Sequence, residues 1–173
     1  MKLIYLPGFG GNMNSKTFQN LINKYPKSIF VDYNNTNADI ANKQITSLFE
    51  FLDKECYVVV GQSLGGFWAE YFAIKYNYSV ILINPSLKPS ESLAKYNLTK
   101  AELDIFKKYQ GIKIVQSKIS IIVSKNDTIV NPETVICRYQ NDVPIKYIDC
   151  DHQINQYETL FTEIQFRVLN DFL

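Results

Sequence analysis

The sequence predicts a single α/β domain built on a mostly parallel six-stranded sheet with helices on both faces. Three observations carry this. Short runs rich in β-branched and aromatic residues alternate with longer segments of helical period, the pattern of strand, crossover helix and parallel strand. The chain has 173 residues, 46% hydrophobic and 14% aromatic, enough to bury one sizeable core, so one domain spanning 1–173 is expected. Neither an internal repeat nor a low-complexity linker divides it.

Taken in order, strands are predicted over about 2–6, 28–33, 56–61, 79–84, 119–124 and 144–149. The first stops at Pro7-Gly8, and Cys56-Tyr57-Val58-Val59-Val60 in the third has the continuous apolar character of a buried strand. Helices lie between them, from about Ser15 to Lys24, Asn37 to Leu52, Leu64 to Tyr76 and Pro132 to Gln140. The last helix is the most regular: Tyr157, Leu160, Phe161, Ile164, Val168, Leu169 and Phe172 fall on one stripe. The stretch Ser86 to Lys118 is longer than a crossover needs. Within it Thr99-Lys100-Ala101-Glu102 is a capping box that opens a helix, and Gly111 is able to end one. That leaves Ser86 to Asn97 as an insertion over the carboxyl ends of the strands, where a small helical lid would sit.

With 18 basic and 17 acidic side chains, the net charge of +1 gives no electrostatic reason to expect nucleic acid as a partner. The apolar start Met1 to Leu6 is too short for a signal peptide and no later run approaches a membrane span. A cytoplasmic protein with no membrane partner is therefore expected. Cys56, Cys137 and Cys150 are odd in number and widely spaced, which reads as core thiols and not as a disulfide framework or a zinc site.

The richest motif is Gly61-Gln62-Ser63-Leu64-Gly65, placed between a buried strand and a helix. This is the arrangement of a nucleophile elbow, in which a strained turn projects the serine hydroxyl away from the sheet while glycines two residues either side avoid collision. A serine near neutral pH needs a base, and the chain has one histidine, His152, just after the sixth strand. Asp127 follows the fifth strand and is preferred as the acid that orients the imidazole; Asp149 and Asp151 are rivals, but close neighbours in sequence project away from His152. An oxyanion needs two donors, and the backbone N–H groups of Leu64 and Phe9 are placed to supply them, with Gly10 in reserve. The glycines of Gly8-Phe9-Gly10-Gly11 do not form a dinucleotide fingerprint, because Met13 stands where a third glycine is required. No metal or organic cofactor is needed for this chemistry.

Several pieces of the chain match one family together: Ile4-Tyr5-Leu6-x-Gly8-Phe9, Gly61-x-Ser63-Leu64-Gly65-Gly66, Asn84-Pro85-Ser86 followed by Lys88-Pro89, Asp127 before Ile129-Val130, and Asp151-His152. They resemble the α/β-hydrolase superfamily, and more closely the small YqiA-type esterases, over nearly the whole length. The resemblance implies a minimal α/β-hydrolase, whose chain order of Ser, Asp and His this sequence follows. One departure is Pro7, where the family has a histidine thought to support the oxyanion loop; proline restricts the backbone there in its own way.

Two functions follow as expectations. The first is a serine hydrolase acting on a small carboxylic ester or thioester; the second is a non-catalytic ligand-binding protein on the same scaffold. Phe9, Gly10, Phe67, Trp68, Tyr96, Phe106 and Ile129 are candidates to line the substrate pocket. In the stretch 86–118, Lys88, Lys95, Lys100, Lys107, Lys108, Lys113 and Lys118 outnumber Glu91, Glu102 and Asp104. A lysine-rich helix is usually a solvated face; the sharper expectation is a positive lid that steers an acyl group carried on an acyl carrier protein or coenzyme A.

Overall fold

Alternation along each strand sorts the apolar residues into two layers, one on each side of the sheet. The computed structural model describes residues 2–53, 56–111, 118–139 and 143–172; Lys113, Gln140 and the side chain of Phe172 lie outside what is described. The strands are β1 (Lys2–Leu6), β2 (Ile29–Phe30), β3 (Tyr57–Gln62), β4 (Ser79–Ile83), β5 (Ile119–Ser124) and β6 (Ile145–Ile148). They form one sheet in the order β2-β1-β3-β4-β5-β6, with every neighbouring pair parallel.

Seven α-helices are described: α1 (Lys16–Lys24), α2 (Ala38–Phe49), α3 (Leu64–Tyr76), α4 (Pro89–Ser92), α5 (Lys100–Lys107), α6 (Pro132–Tyr139) and α7 (Tyr157–Arg167). Ile4 and Leu6 of β1, Val59 of β3, Leu82 of β4 and Ile121 of β5 cluster with residues of α2, α3, α5 and α6. Their sequence neighbours Leu3, Tyr5, Val60, Ile81 and Ile122 point the other way and cluster with α1 and α7. Full burial of each such aliphatic side chain stabilises the fold by about 1.5–3 kcal/mol. The central helix α3 is buried along most of its length. Its one carboxylate, Glu70, accepts from Arg138 Nε at 2.7 Å and from the Tyr139 hydroxyl at 2.6 Å, which ties α6 to it. A buried charge is tolerable only when paired in this way.

Several elements differ from expectation for identifiable reasons. The second strand has two residues instead of six because it is the sheet edge, and the chain leaves the ladder to carry Tyr33 under the sheet's carboxyl end. Helix α2 stops at Phe49, where the Tyr78 hydroxyl takes the carbonyls of Phe49 and Leu52 at 3.2 and 2.7 Å. Beyond Arg167 the last helix widens into a π-turn over Val168–Phe172; this leaves Leu169 56% exposed, off the buried stripe of Leu160, Phe161, Ile164 and Val168. Cys150 is buried, but Cys56 and Cys137 are at the surface, so the core-thiol expectation is corrected for those two. Thr99 and Glu102 make the capping box of α5 with both reciprocal bonds. Gly111 has a φ of 72° but lies beyond that helix, whose last residue is Lys107. Among the described residues no helix is long and apolar enough to cross a membrane.

Candidate active site

β1 has β2 on one side and β3 on the other, so the winding of the sheet reverses between β1 and β3. In open α/β sheets the crevice beyond the carboxyl ends at such a reversal is where ligands bind. The loop Pro7-Gly8-Phe9 leaves β1 there, and Ser63 follows β3. Ser63 has φ 54° and ψ −115°, a strained conformation for a residue with a side chain, costing on the order of 1–3 kcal/mol. The close approach of α3 to β3 and to the end of β1 explains the glycines. A Cβ at Gly61 would lie 2.6 Å from the Cβ of Ala69, and one at Gly65 would lie 2.5 Å from the carbonyl oxygen of Pro7. Ser63 is further held by its N–H donating to the Ile83 carbonyl at 2.9 Å.

His152, in the loop after β6, brings Nε2 to 3.0 Å from the Ser63 hydroxyl oxygen and Nδ1 to 2.6 Å from Asp127 Oδ2. The Asp127 side chain is 1% exposed and that of His152 is 13% exposed. A carboxylate oxygen accepting from Nδ1–H leaves Nε2 free to accept from the serine hydroxyl. The two oxygens of Asp127 divide their work: Oδ1 accepts from the N–H groups of Ile129 and Val130, each at 2.8 Å, which fixes the carboxylate plane while Oδ2 meets the ring. The rival acids are engaged elsewhere, Asp149 with the Asn126 amide at 2.9 Å and Asp151 with the N–H of Gln153 at 3.0 Å.

Facing this relay, the β1 loop is folded as a turn in which Gly11 N–H donates to the Gly8 carbonyl at 2.9 Å. Gly10 has a φ of 71° and donates to Asn35 Oδ1 at 3.1 Å, so its N–H is directed away from the crevice. The N–H groups of Phe9 and Leu64 have no hydrogen-bond acceptor among the described residues. Backbone donors left without an acceptor in this way, at the ends of two adjacent strands, are available to an anion.

Ser63 and His152 open into a cavity of about 290 Å³. Phe9, Leu93, Tyr96, Ile129 and Val130 line it on apolar surface, while Tyr5, Lys16, Thr17, Gln62 and Gln153 contribute polar groups. Tyr96 stacks on Phe9 with ring centroids 4.7 Å apart, joining the 86–97 segment to the β1 loop. Three candidate pocket residues are elsewhere. Phe67, Trp68 and Phe106 are 1%, 0% and 0% exposed and pack against one another in the core, so their role is structural and the expectation that they line a pocket is corrected. The reason is α3's position, sandwiched between the sheet and α5, which buries the helix on nearly all sides. Gly10 is absent from the cavity lining as well. The described lysines of the 86–118 stretch are also not in the lining: Lys88, Lys107 and Lys108 pair with Glu91, Asp104 and Asp39, and Lys95 sits over the Tyr96 ring.

A model of the uncharacterised protein family UPF0227 matches residues 2–167. The chain belongs to that family. Solved structures similar to this UPF0227 member include mouse alpha/beta hydrolase domain-containing protein 10, with 16% identity, a TM-score of 0.80 and coverage of 96% of this chain and 89% of that one. Est1E from Butyrivibrio proteoclasticus has 13% identity and a TM-score of 0.71 over 98% of this chain and 88% of that one. Carboxyl esterase 2 from Tuber melanosporum has 17% identity and a TM-score of 0.66 over 99% and 79%. No curated protein matches. At such identities the likeness establishes the fold, which is that of an α/β-hydrolase.

The roles of three further residues around this cavity carry no signal in residue-type patterns. The buried hydroxyl of Tyr33 donates to the Pro7 carbonyl at 2.6 Å, and burial pushes its phenol well above the usual range, so it stays a donor. Lys16 reaches the cavity from the first turn of α1. Asn84, at the end of β4, bonds both Ser124 and the His152 backbone. Its place in Asn84-Pro85-Ser86, one of the pieces that carry the family resemblance, marks it beforehand, but not its partners.

Proposed function

We propose that the chain is a serine hydrolase that cleaves a small carboxylic ester or thioester through an acyl-enzyme. The observation that carries this is the continuous hydrogen-bonded line from Asp127 through His152 to Ser63, at 2.6 and 3.0 Å, on a strained elbow that opens into a cavity. Esterases among the structures of similar fold support the same chemistry.

In this reading His152 Nε2 takes the hydroxyl proton as Ser63 Oγ attacks the acyl carbon. The carbonyl electrons move onto oxygen, and the N–H groups of Phe9 and Leu64 stabilise that oxyanion. When the oxyanion collapses, the bond to the leaving oxygen or sulfur breaks and His152 returns the proton to it, leaving acyl-Ser63. Water then repeats the sequence: His152 takes its proton, its oxygen attacks the acyl carbon, and the acid departs as Ser63 regains its hydrogen. Asp127 stabilises the imidazolium at both stages.

The cavity's dimensions favour a small acyl group, since about 300–1,000 Å³ is usual for drug-sized ligands and this one stands at the lower bound. Its apolar wall of Phe9, Leu93, Tyr96, Ile129 and Val130 suits the acyl chain, with the 86–97 segment acting as the lid. Its polar wall suits the leaving group. Among the described residues Lys16 is the cation of the lining and no acidic side chain lines it, which favours a leaving group that carries negative charge, such as coenzyme A or an acyl carrier protein. A fluorophosphonate probe tests the central reading. Covalent label at Ser63, lost in Ser63→Ala, is expected; a wild-type chain that takes no label and hydrolyses no p-nitrophenyl ester would return the scaffold to ligand binding alone.

A further inference from the structure

The segment Asn84-Pro85-Ser86 has no part in the proton relay, yet it contacts the strands and loops that carry all three of its members. Asn84 is 1% exposed and has a φ of 43°. Asparagine enters this left-handed region more readily than other residues with side chains, but a buried polar side chain there must also find partners. It finds three. Oδ1 accepts from the N–H of Ser124 at 2.7 Å, and Nδ2 donates to Ser124 Oγ at 2.8 Å and to the backbone carbonyl of His152 at 3.1 Å. Ser124 closes β5, three residues before Asp127. One amide therefore ties the end of β4 both to the strand that leads to the acid and to the backbone of the base. On the other side the N–H of Ser86 donates to the Ser63 carbonyl at 2.9 Å, and a Cβ at Gly66 would meet the ring of Pro85 at 2.8 Å. The segment thus packs against the nucleophile's turn as well.

The choice of an amide is chemically specific. An N–H and a C=O must both be satisfied at this point, and a carboxylate supplies no donor for the carbonyl of His152. An apolar side chain would leave the Ser124 N–H and the His152 carbonyl without their partner. We propose that Asn84 is a positioning residue that fixes the His152 backbone relative to β4 and β5, and so holds the imidazole in line with both Ser63 and Asp127. The proposal rests on the reading of those three as the working set.

Two substitutions separate this role from folding. Asn84→Gly accepts a φ of 43° without strain and removes only the side-chain bonds. Asn84→Asp keeps the shape and the bond from Ser124 N–H but turns an acceptor toward the His152 carbonyl. Because the chain has one histidine, the proton shared between His152 Nδ1 and Asp127 gives an imidazole N–H resonance with a single assignment. In both variants that resonance is expected to move or broaden while the amide spectrum remains that of the folded protein. kcat for p-nitrophenyl butyrate should fall about 10- to 100-fold, as for other small misplacements of reacting groups, with KM changing far less. Combined with Asp127→Asn, Asn84→Gly should cost little more, since it acts through an alignment already lost. An unchanged resonance with kcat near wild type would overturn the proposal, as would losses that multiply fully in the double variant. Failure of both variants to fold would also overturn it, by assigning Asn84 to stability. A shifted resonance in a chain that hydrolyses no ester would leave Asn84's role standing and remove the hydrolase reading instead.

Discussion

The hydroxyl of Tyr33 donates to the carbonyl of Pro7 at 2.6 Å in the interior, anchoring the β1 loop from beneath. Tyr33, 26 positions away in sequence, thus supplies a fastening for the loop that presents Phe9. Tyr33→Phe keeps the ring's packing but leaves a buried carbonyl without its donor, at a cost of about 1–3 kcal/mol. The urea midpoint should fall accordingly, and kcat should drop by about tenfold if the less ordered β1 loop holds the Phe9 N–H as proposed. If neither changes, the loop is held by Pro7 and its glycine turn alone.

Replacing Ser63 or His152 by Ala should each lower ester hydrolysis on the order of 10⁴-fold or more, and replacing both should cost little beyond either, because the pair acts as a unit. Asp127→Asn retains an oxygen for the N–H groups of Ile129 and Val130 but offers an amide hydrogen to Nδ1, so the ring loses its orientation; a loss of about 10³–10⁴-fold is expected. Asp151→Asn should be nearly silent. A larger loss from Asp151→Asn than from Asp127→Asn in the same steady-state assay would reassign the acid.

Lys16→Met should raise KM for an acyl-coenzyme A by about tenfold, equivalent to about 1.4 kcal/mol, and leave a neutral ester of the same chain unchanged. Raising ionic strength should mimic the substitution for the wild type, since salt screens such attraction beyond a Debye length of about 8–10 Å. Lys107→Met serves as the control, because that lysine is paired with Asp104 outside the cavity. Equal behaviour of charged and neutral substrates at all salt concentrations would remove Lys16 from substrate recognition.

Asp39 of α2 accepts from Lys108 at 2.8 Å and from the Tyr109 hydroxyl at 2.7 Å, joining α2 to the end of α5. The Lys108 ammonium foremost, then Tyr109, hold its carboxyl below the usual carboxylate range. A depressed folded-state pKa means that protonation favours unfolding: the contribution is fully present above the unfolded value of about 3.9 and is lost as pH falls through the folded value. The pair is substantially exposed, so about 0.2–1 kcal/mol is at stake. Urea unfolding of Asp39→Asn should show its deficit at pH 6 and converge with the wild type near pH 2. A deficit of equal size at both would attribute the effect to packing.

Strand and helix positions were legible because they follow from periodicity, which neighbouring residues impose on one another: Val58, Val59 and Val60 need two apolar layers wherever the chain goes. Ser63 was legible for a related reason, since the glycines that flank it answer to the steric demands of one tight turn. The pocket was not. Phe67, Trp68 and Phe106 have the composition of a binding wall, but α3 lies between the sheet and α5 and buries them, whereas Leu93, Val130 and Lys16 come from three separate segments.

The sequence by itself determined the alternation of strand and helix, the elbow, and which side chains were available for acid–base work, because each depends on short-range sterics or on residue chemistry. The tertiary structure alone decided the strand order that reverses between β1 and β3, the convergence of Asp127, His152 and Ser63 across as many as 89 positions, and the fastening of their loops by Tyr33 and Asn84. Those relationships arise from hydrogen bonds and packing between distant segments, whose partners no local pattern encodes.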